Sequence, residues 1–199
     1  QSFGGPVSSA RASTDSLYGL AIVTPITPLT LTAGLRYDHH SDFGSHTTFG
    51  ANGSFALGKS VLLRASYGEG FKAPTLYQLQ GDYGNPALQP ETSKSYEGGI
   101  SFTTSDRKAA ASLTYFFRKT RNLILFIDCD PSIAICAGAA RPFGTYDNIA
   151  LARAEGIEAE LTLRPTSRFA LSANYTLTRT RDETPASATR ERTEPRRFQ

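Results

Sequence analysis

The sequence predicts an all-β fold, an antiparallel up-and-down sheet whose roughly eight or nine strands form part of a larger transmembrane β-barrel. Three observations predict it. Apolar and small polar residues alternate with period two over most of the chain, no apolar run reaches the ~20 residues of a membrane helix, and short turns alternate with long loops. That last rhythm belongs to membrane barrels, whose turns lie on one side and loops on the other. A soluble sandwich shows turns without it.

The first strand is read at residues 16–24, with Tyr18, Leu20 and Ile22 on one face. Pro25 and Pro28 bound a tight turn. Residues 29–38 give the clearest alternation: Leu29, Leu31, Ala33, Leu35 and Tyr37 against Thr30, Thr32, Gly34 and Arg36. Residues 38–46 are polar and read as a loop. Residues 47–57 repeat the pattern, with Phe49, Ala51, Phe55 and Leu57 against Thr48, Gly50, Asn52 and Ser54. A turn at 57–60 leads to residues 61–69, where Val61, Leu63, Ala65 and Tyr67 oppose Arg64, Ser66 and Gly68.

Residues 70–94 break the rhythm. Pro74, Pro86 and Pro90 fix φ and remove backbone donors, so neither a helix interior nor a central strand suits them. Yet Phe71, Leu76, Tyr77, Leu79, Tyr83 and Leu88 are too apolar for a solvated linker, which leaves a long loop packed by its own side chains. Residues 95–103 resume the alternation, and 104–107 turn. Residues 108–127 form one long strand or two, ending in a loop with the two cysteines. Residues 143–165 are a long strand region, 165–168 a turn, and 169–180 another strand. Residues 182–195 read as a charged, proline-containing loop and 196–199 as the start of a further strand.

Charge decides which row meets lipid. A charge on the lipid face at mid-bilayer costs about 2–4 kcal/mol. Arg64, Glu158 and Glu160 all belong to the Thr/Ser/Gly row, and a one-residue slip would expose them. The apolar row is therefore expected to face lipid, and Arg36, Arg64, Glu97, Arg118, Glu158, Glu160 and Arg164 the lumen. Tyr37, Tyr67, Tyr96, Phe55, Phe102 and Phe169 suit the interfacial girdles. The alternative is a solvated face of a soluble β-protein, which would bury the apolar row under a second layer.

Composition excludes other classes. A net charge of +3 with a charged fraction of 20% gives no field for nucleic acid. Cys129 and Cys136 lie close in a polar loop and suit one disulfide in an oxidising compartment, with two free thiols as the alternative. No His or further Cys adjoins them, which disfavours a metal site. His39 and His40 at a strand end point to opposite faces, so one ion would not take both. No nucleophile elbow or HExxH motif occurs, and no enzyme is expected. The opening residues lack a charged start and apolar core, so a signal peptide is expected to be absent or removed.

Two stretches carry a family resemblance. Gly70, Phe71, Lys72, Ala73 and Pro74, followed by Asn85, Pro86, Leu88, Pro90, Glu91, Thr92 and Ser93, resemble a two-part motif in the barrels of TonB-dependent outer-membrane receptors. Tyr146–Asn148 with Ala154–Glu158 is similar to a second, weaker motif, in which Gly156-Ile157-Glu158 opens a strand after a loop. Residues 36–51 and the loop at 81–86 look most like the vitamin B12 receptors, while RYDHHS occurs also in ferric-siderophore receptors.

The resemblance implies a Gram-negative outer-membrane location and a 22-stranded barrel around a plug. Residues 1–199 would be an internal segment of the barrel domain, without the plug, the TonB box or the closing C-terminal strands. It further implies active uptake of a scarce large nutrient, cobalamin or a ferric chelate, energised by a TonB complex acting on the plug. Partners would be outer-membrane lipid, the plug and TonB, with no cofactor. Extracellular-loop candidates for ligand contact are His39, Asp42, Tyr77, Gln80, Asp82 and Tyr83. Pro74, Asn85, Pro86, Pro90 and Glu91 are assigned to shaping the loop. A haem receptor, a passive porin and an outer-membrane enzyme are the rival readings.

Overall fold

A computed structural model describes residues 10–129, 135–137, 141, 143–183 and 191–195. Among the described residues nine strands form one antiparallel sheet in which every sequence neighbour is also a spatial neighbour. They are β1 (Thr14–Ile26), β2 (Leu29–His40), β3 (Gly44–Leu57), β4 (Val61–Lys72), β5 (Glu91–Thr103), β6 (Ala109–Ile127), β7 (Thr145–Thr166), β8 (Phe169–Asp182) and β9 (Glu191–Pro195), with a single helix, α1 (Leu76–Gln80), between β4 and β5.

The register separates the two rows. Leu31 pairs with Gly53, and the line runs on through Ala65, Gly98, Tyr115 and Ile157 to Leu177. One residue along, Thr30, Ser54, Arg64, Gly99, Thr114, Glu158 and Thr176 form the parallel line. Directly opposed residues share a face, so Arg64 and Glu158 lie on one side and the leucines on the other. Leu31, Leu63 and Leu171 remain 41%, 37% and 47% exposed, with no second layer over them. The hydrophobic residues buried among those described are only Leu88 and Ile124. A sheet that leaves its apolar row uncovered is built for a solvent of acyl chains.

Several expectations are corrected. Tyr18, Leu20 and Ile22 pair with Arg36, Gly34 and Thr32, which puts them on the face of the charged row and not with the leucines. Leu17, Ala21 and Val23 take the lipid row instead. The expected loop at 38–46 is a short turn over 41–43, because β2 runs on through His40 and β3 begins at Gly44. Gly70–Lys72 and the residues from Glu91 onward extend β4 and β5, which narrows the loop to 73–90. Part of that loop is helical. Thr75 caps α1 by accepting from the Gln78 N–H, and the Gln78 side chain reaches back to the Thr75 N–H.

Residues 109–127 are one strand, and Glu191–Pro195 pairs with β8 where a loop was expected. Gly156 does not open β7 but lies in its middle. Residues 196–199, the expected start of a further strand, lie outside the described residues. Cys129 and Cys136 are joined as a disulfide.

Candidate functional site

Small residues on the charged row leave room between strands for long charged ones. A concave space of about 450 Å³ is lined by Arg64, Glu97, Glu158 and Glu160 with Asn52 and Ser66 among its walls. Ser66 donates to Glu97 at 3.5 Å and Ser112 to Glu160 at 3.2 Å. Arg36, nearer the long-loop end, binds Asp38 at 2.9 Å and Ser16 at 3.0 Å, and Arg118 donates to Ser93 at 3.3 Å. These groups make a polar, hydrogen-bonding wall. Arg164 stands apart from it. It lies at a register shift between Leu163 and Thr166, beside Asp106, Lys108 and Arg168 at the short-turn end. Among the described residues no three His, Cys, Asp or Glu side chains group as metal ligands.

The loop at 73–90 is fastened to the extension of β6 and β7. Asn148 is the clasp. Its amide oxygen accepts from the Gln89 N–H at 2.8 Å, and its nitrogen donates to the Gln89 and Asn122 carbonyls at 3.0 and 2.6 Å. The Tyr83 carbonyl accepts from the Tyr146 N–H and the Thr145 hydroxyl, both at 3.2 Å. Tyr83 packs edge-on to Phe126 and Phe143, and Phe126 and Tyr77 to Tyr146. Leu88 is 1% exposed beneath the loop. Glu91 is buried, takes Lys72 at 3.2 Å and accepts from the Ile124 N–H at 3.1 Å. The two sequence motifs therefore meet in space: Gln89 from one, Asn148 from the other.

Pro74 and Asn85 are buried, and the Asn85 side chain accepts from the Ala87 N–H at 2.9 Å to turn the chain. Pro86 is exposed and Pro90 half-buried at the entry to β5. Of the ligand candidates, Tyr77, Gln80 and Asp82 are exposed on one loop and Tyr83 half-buried beside them. His39 and Asp42 are not brought to them. His39 lies at the β2–β3 turn on the lipid-row side, bonded to Ser45 at 2.9 Å. Asp42 is exposed there, its N–H donating to His40, whose ring packs on Phe43.

Sequence reasoning placed Lys72 and Asn148 in the two motifs without giving either a role, and it missed Thr145. Asparagine is depleted in strands, so one inside a strand-like motif was the available signal.

The sequence profile of the family described as "TonB dependent receptor-like, beta-barrel" matches residues 1–197. The iron-regulated outer membrane virulence protein of Vibrio cholerae is 35% identical over 162 residues, covering 74% of this chain and 24% of that protein. The ferric enterobactin receptor of Pseudomonas aeruginosa is 32% identical over 196 residues, covering 85% of this chain and 25% of that protein. Among solved structures, the siderophore receptor PirA of Pseudomonas aeruginosa superposes with a TM-score of 0.71 at 28% identity, over 92% of this chain and 36% of that one. The chain spans about a quarter of the length of the curated relatives it matches.

Proposed function

The chain belongs to the TonB-dependent receptor β-barrel family, and from that premise we propose that it is a stretch of barrel wall from an active-transport receptor for a ferric siderophore. Its place is the outer membrane of a Gram-negative bacterium. The observation that carries the ligand class is the likeness to a ferric enterobactin receptor, at 32% identity along 85% of the chain. The relatives reported above carry the names of iron and siderophore receptors, so support falls on a ferric chelate and not on the cobalamin suggested by residues 36–51 and the loop at 81–86.

In this reading the clasped loop holds Tyr77, Gln80, Asp82 and Tyr83 at the extracellular end, where a bulky chelate arrives. The inner row of Arg64, Glu97, Glu158 and Glu160 faces the plug and the solvent around it. A plug and the remaining strands complete the receptor, and TonB acts on the plug to release the chelate inward.

The test is uptake by the full-length receptor in cells lacking their own siderophore receptors. Radiolabelled ferric enterobactin is expected to enter only when TonB is present, and labelled cobalamin is not. Entry of cobalamin without entry of any ferric chelate would overturn the reading.

A further inference from the structure

Transport makes no use of the outer face of the long-loop end, yet that face is strongly patterned. Following the register, Glu69, Lys94, Lys119, Arg153 and Arg181 form one outward line, with Glu155 and Arg179 on the line beside it and Arg121 beyond. Lys94 pairs with Glu69 at 3.2 Å, Lys119 with Glu183 at 3.4 Å, and Arg153 with Glu155 at 2.6 Å. Cations in this band (Lys94, Lys119, Arg121, Arg153, Arg179, Arg181) outnumber carboxylates (Glu69, Glu155, Glu183) two to one.

Directly below them the outward residues are aromatic. Tyr67, Tyr96 and Phe117 stand in a row with ring centres 5.0 and 6.2 Å apart, and Arg153 lies 4.9 Å over Phe117. Further down the row is aliphatic, with Leu63, Ile100, Leu113 and Leu171 exposed. From the short-turn ends of their strands, the cations stand roughly 20–30 Å up for a strand tilted about 45°, against an apolar band of ~25 Å. That is the depth of lipid headgroups on the long-loop side.

A cavity of about 350 Å³ opens in this band, with Phe71, Tyr96 and Phe117 as its apolar lining and Lys94, Lys119 and Arg121 on its rim, where the one carboxylate, Glu69, is taken up by Lys94. An apolar floor under a rim of positive charge fits an anionic amphiphile. We propose that this pocket binds the phosphate-bearing headgroup of an outer-leaflet lipid, with Lys119 and Arg121 on the phosphate and the first acyl carbons on Tyr96 and Phe117. The site rests on the barrel's location in the outer membrane and is independent of which nutrient the receptor carries.

The experiment titrates the purified full-length receptor in detergent with diphosphoryl lipid A, its dephosphorylated counterpart and inorganic phosphate, read by native mass spectrometry. The variants are Lys119→Gln/Arg121→Gln, Lys119→Arg, and Lys59→Gln at a turn of the opposite end. Unchanged gel mobility before heating confirms that each barrel is folded. Wild-type receptor is expected to retain the diphosphoryl lipid and to bind the dephosphorylated one far more weakly. The double variant should lose roughly 30-fold in affinity for two neutralised charges. Lys119→Arg and Lys59→Gln should bind as wild type. No retention by the wild type, equal binding of both lipids, or a double variant that binds undiminished would each overturn the proposal. Displacement of the lipid by inorganic phosphate at matching concentration would make this a free-anion site and overturn it as well.

Discussion

Replacing Asn148 by alanine removes two hydrogen bonds that tie the β4–β5 loop, at Gln89, to β7, and a third, to the Asn122 carbonyl, inside the β6–β7 hairpin. Two of the three are exposed to water, which can replace them in part, and the third is half-buried. At about 1 kcal/mol each, a net value that already counts the water that replaces them, the two bonds to the loop sum to about 2 kcal/mol. The loss is local, because the strand ladders are untouched. It falls on the equilibrium by which the loop opens, and about 2 kcal/mol there is roughly a 30-fold rise in the open population.

The amides to follow are Gly81, Gly84 and Asn85, which donate inside the loop at 2.8–2.9 Å and exchange only when it opens. Hydrogen exchange of the full-length receptor should show their protection fall by roughly 30-fold in Asn148→Ala, and by less in Asn148→Asp, which keeps the acceptor for Gln89. Protection unchanged within about threefold would mean that Leu88 and the aromatic ring cluster hold the loop alone, and the clasp would be refuted.

Two further outcomes follow from single positions. An added Cβ at Gly156 would overlap the Leu177 carbonyl oxygen and come 2.6 Å from Phe116 Cζ. Gly156→Val should therefore cost at least the 1–3 kcal/mol of a typical overpacking, seen as a reduced fraction of heat-modifiable barrel; a full yield of folded protein would contradict this. At the β5–β6 turn, the Thr104 hydroxyl and then the Lys108 N–H donate to Asp106 and hold its carboxyl below the usual carboxylate range. A depressed pKa means the turn is stabilised at neutral pH and loses that support as pH falls through the lowered value. Thr104→Val should raise the Asp106 pKa in a carbon-13 carboxyl titration, and an unmoved titration would count against the turn geometry.

The sheet was legible where lipid and water lie on opposite sides of a strand. There the two solvents impose period two, as with Leu31 and Leu35 against Thr32 and Arg36. Beyond the bilayer both faces meet water, and the pattern fades. His39, Ser45 and His46 are strand residues that look like loop residues for this reason, and the charged strand β9 was missed in the same way. β1 failed differently. Both of its rows are apolar, so alternation within the strand could not choose between them, and only pairing with β2 fixes Tyr18 opposite Arg36.

The short helix had a readable signal, the Thr75-to-Gln78 capping box, but five residues are too few for a helical period. The outlines of the loop were visible in its prolines. The clasp was not, because Asn148 and Gln89 are 59 residues apart and nothing in one sequence pairs them.

The central claim, that lipid bathes the leucine row and water the charged row, is tested most directly by spin labels on the full-length receptor in bilayers. Labels at Leu31, Leu63 and Leu171 should be relaxed by molecular oxygen, which concentrates in acyl chains, and shielded from a polar nickel chelate. Labels at Arg64 and Glu160 should be protected from the oxygen enriched among lipid tails. Accessibility of Leu63 and Leu171 to the nickel chelate, with Arg64 and Glu160 in contact with lipid, would contradict the account.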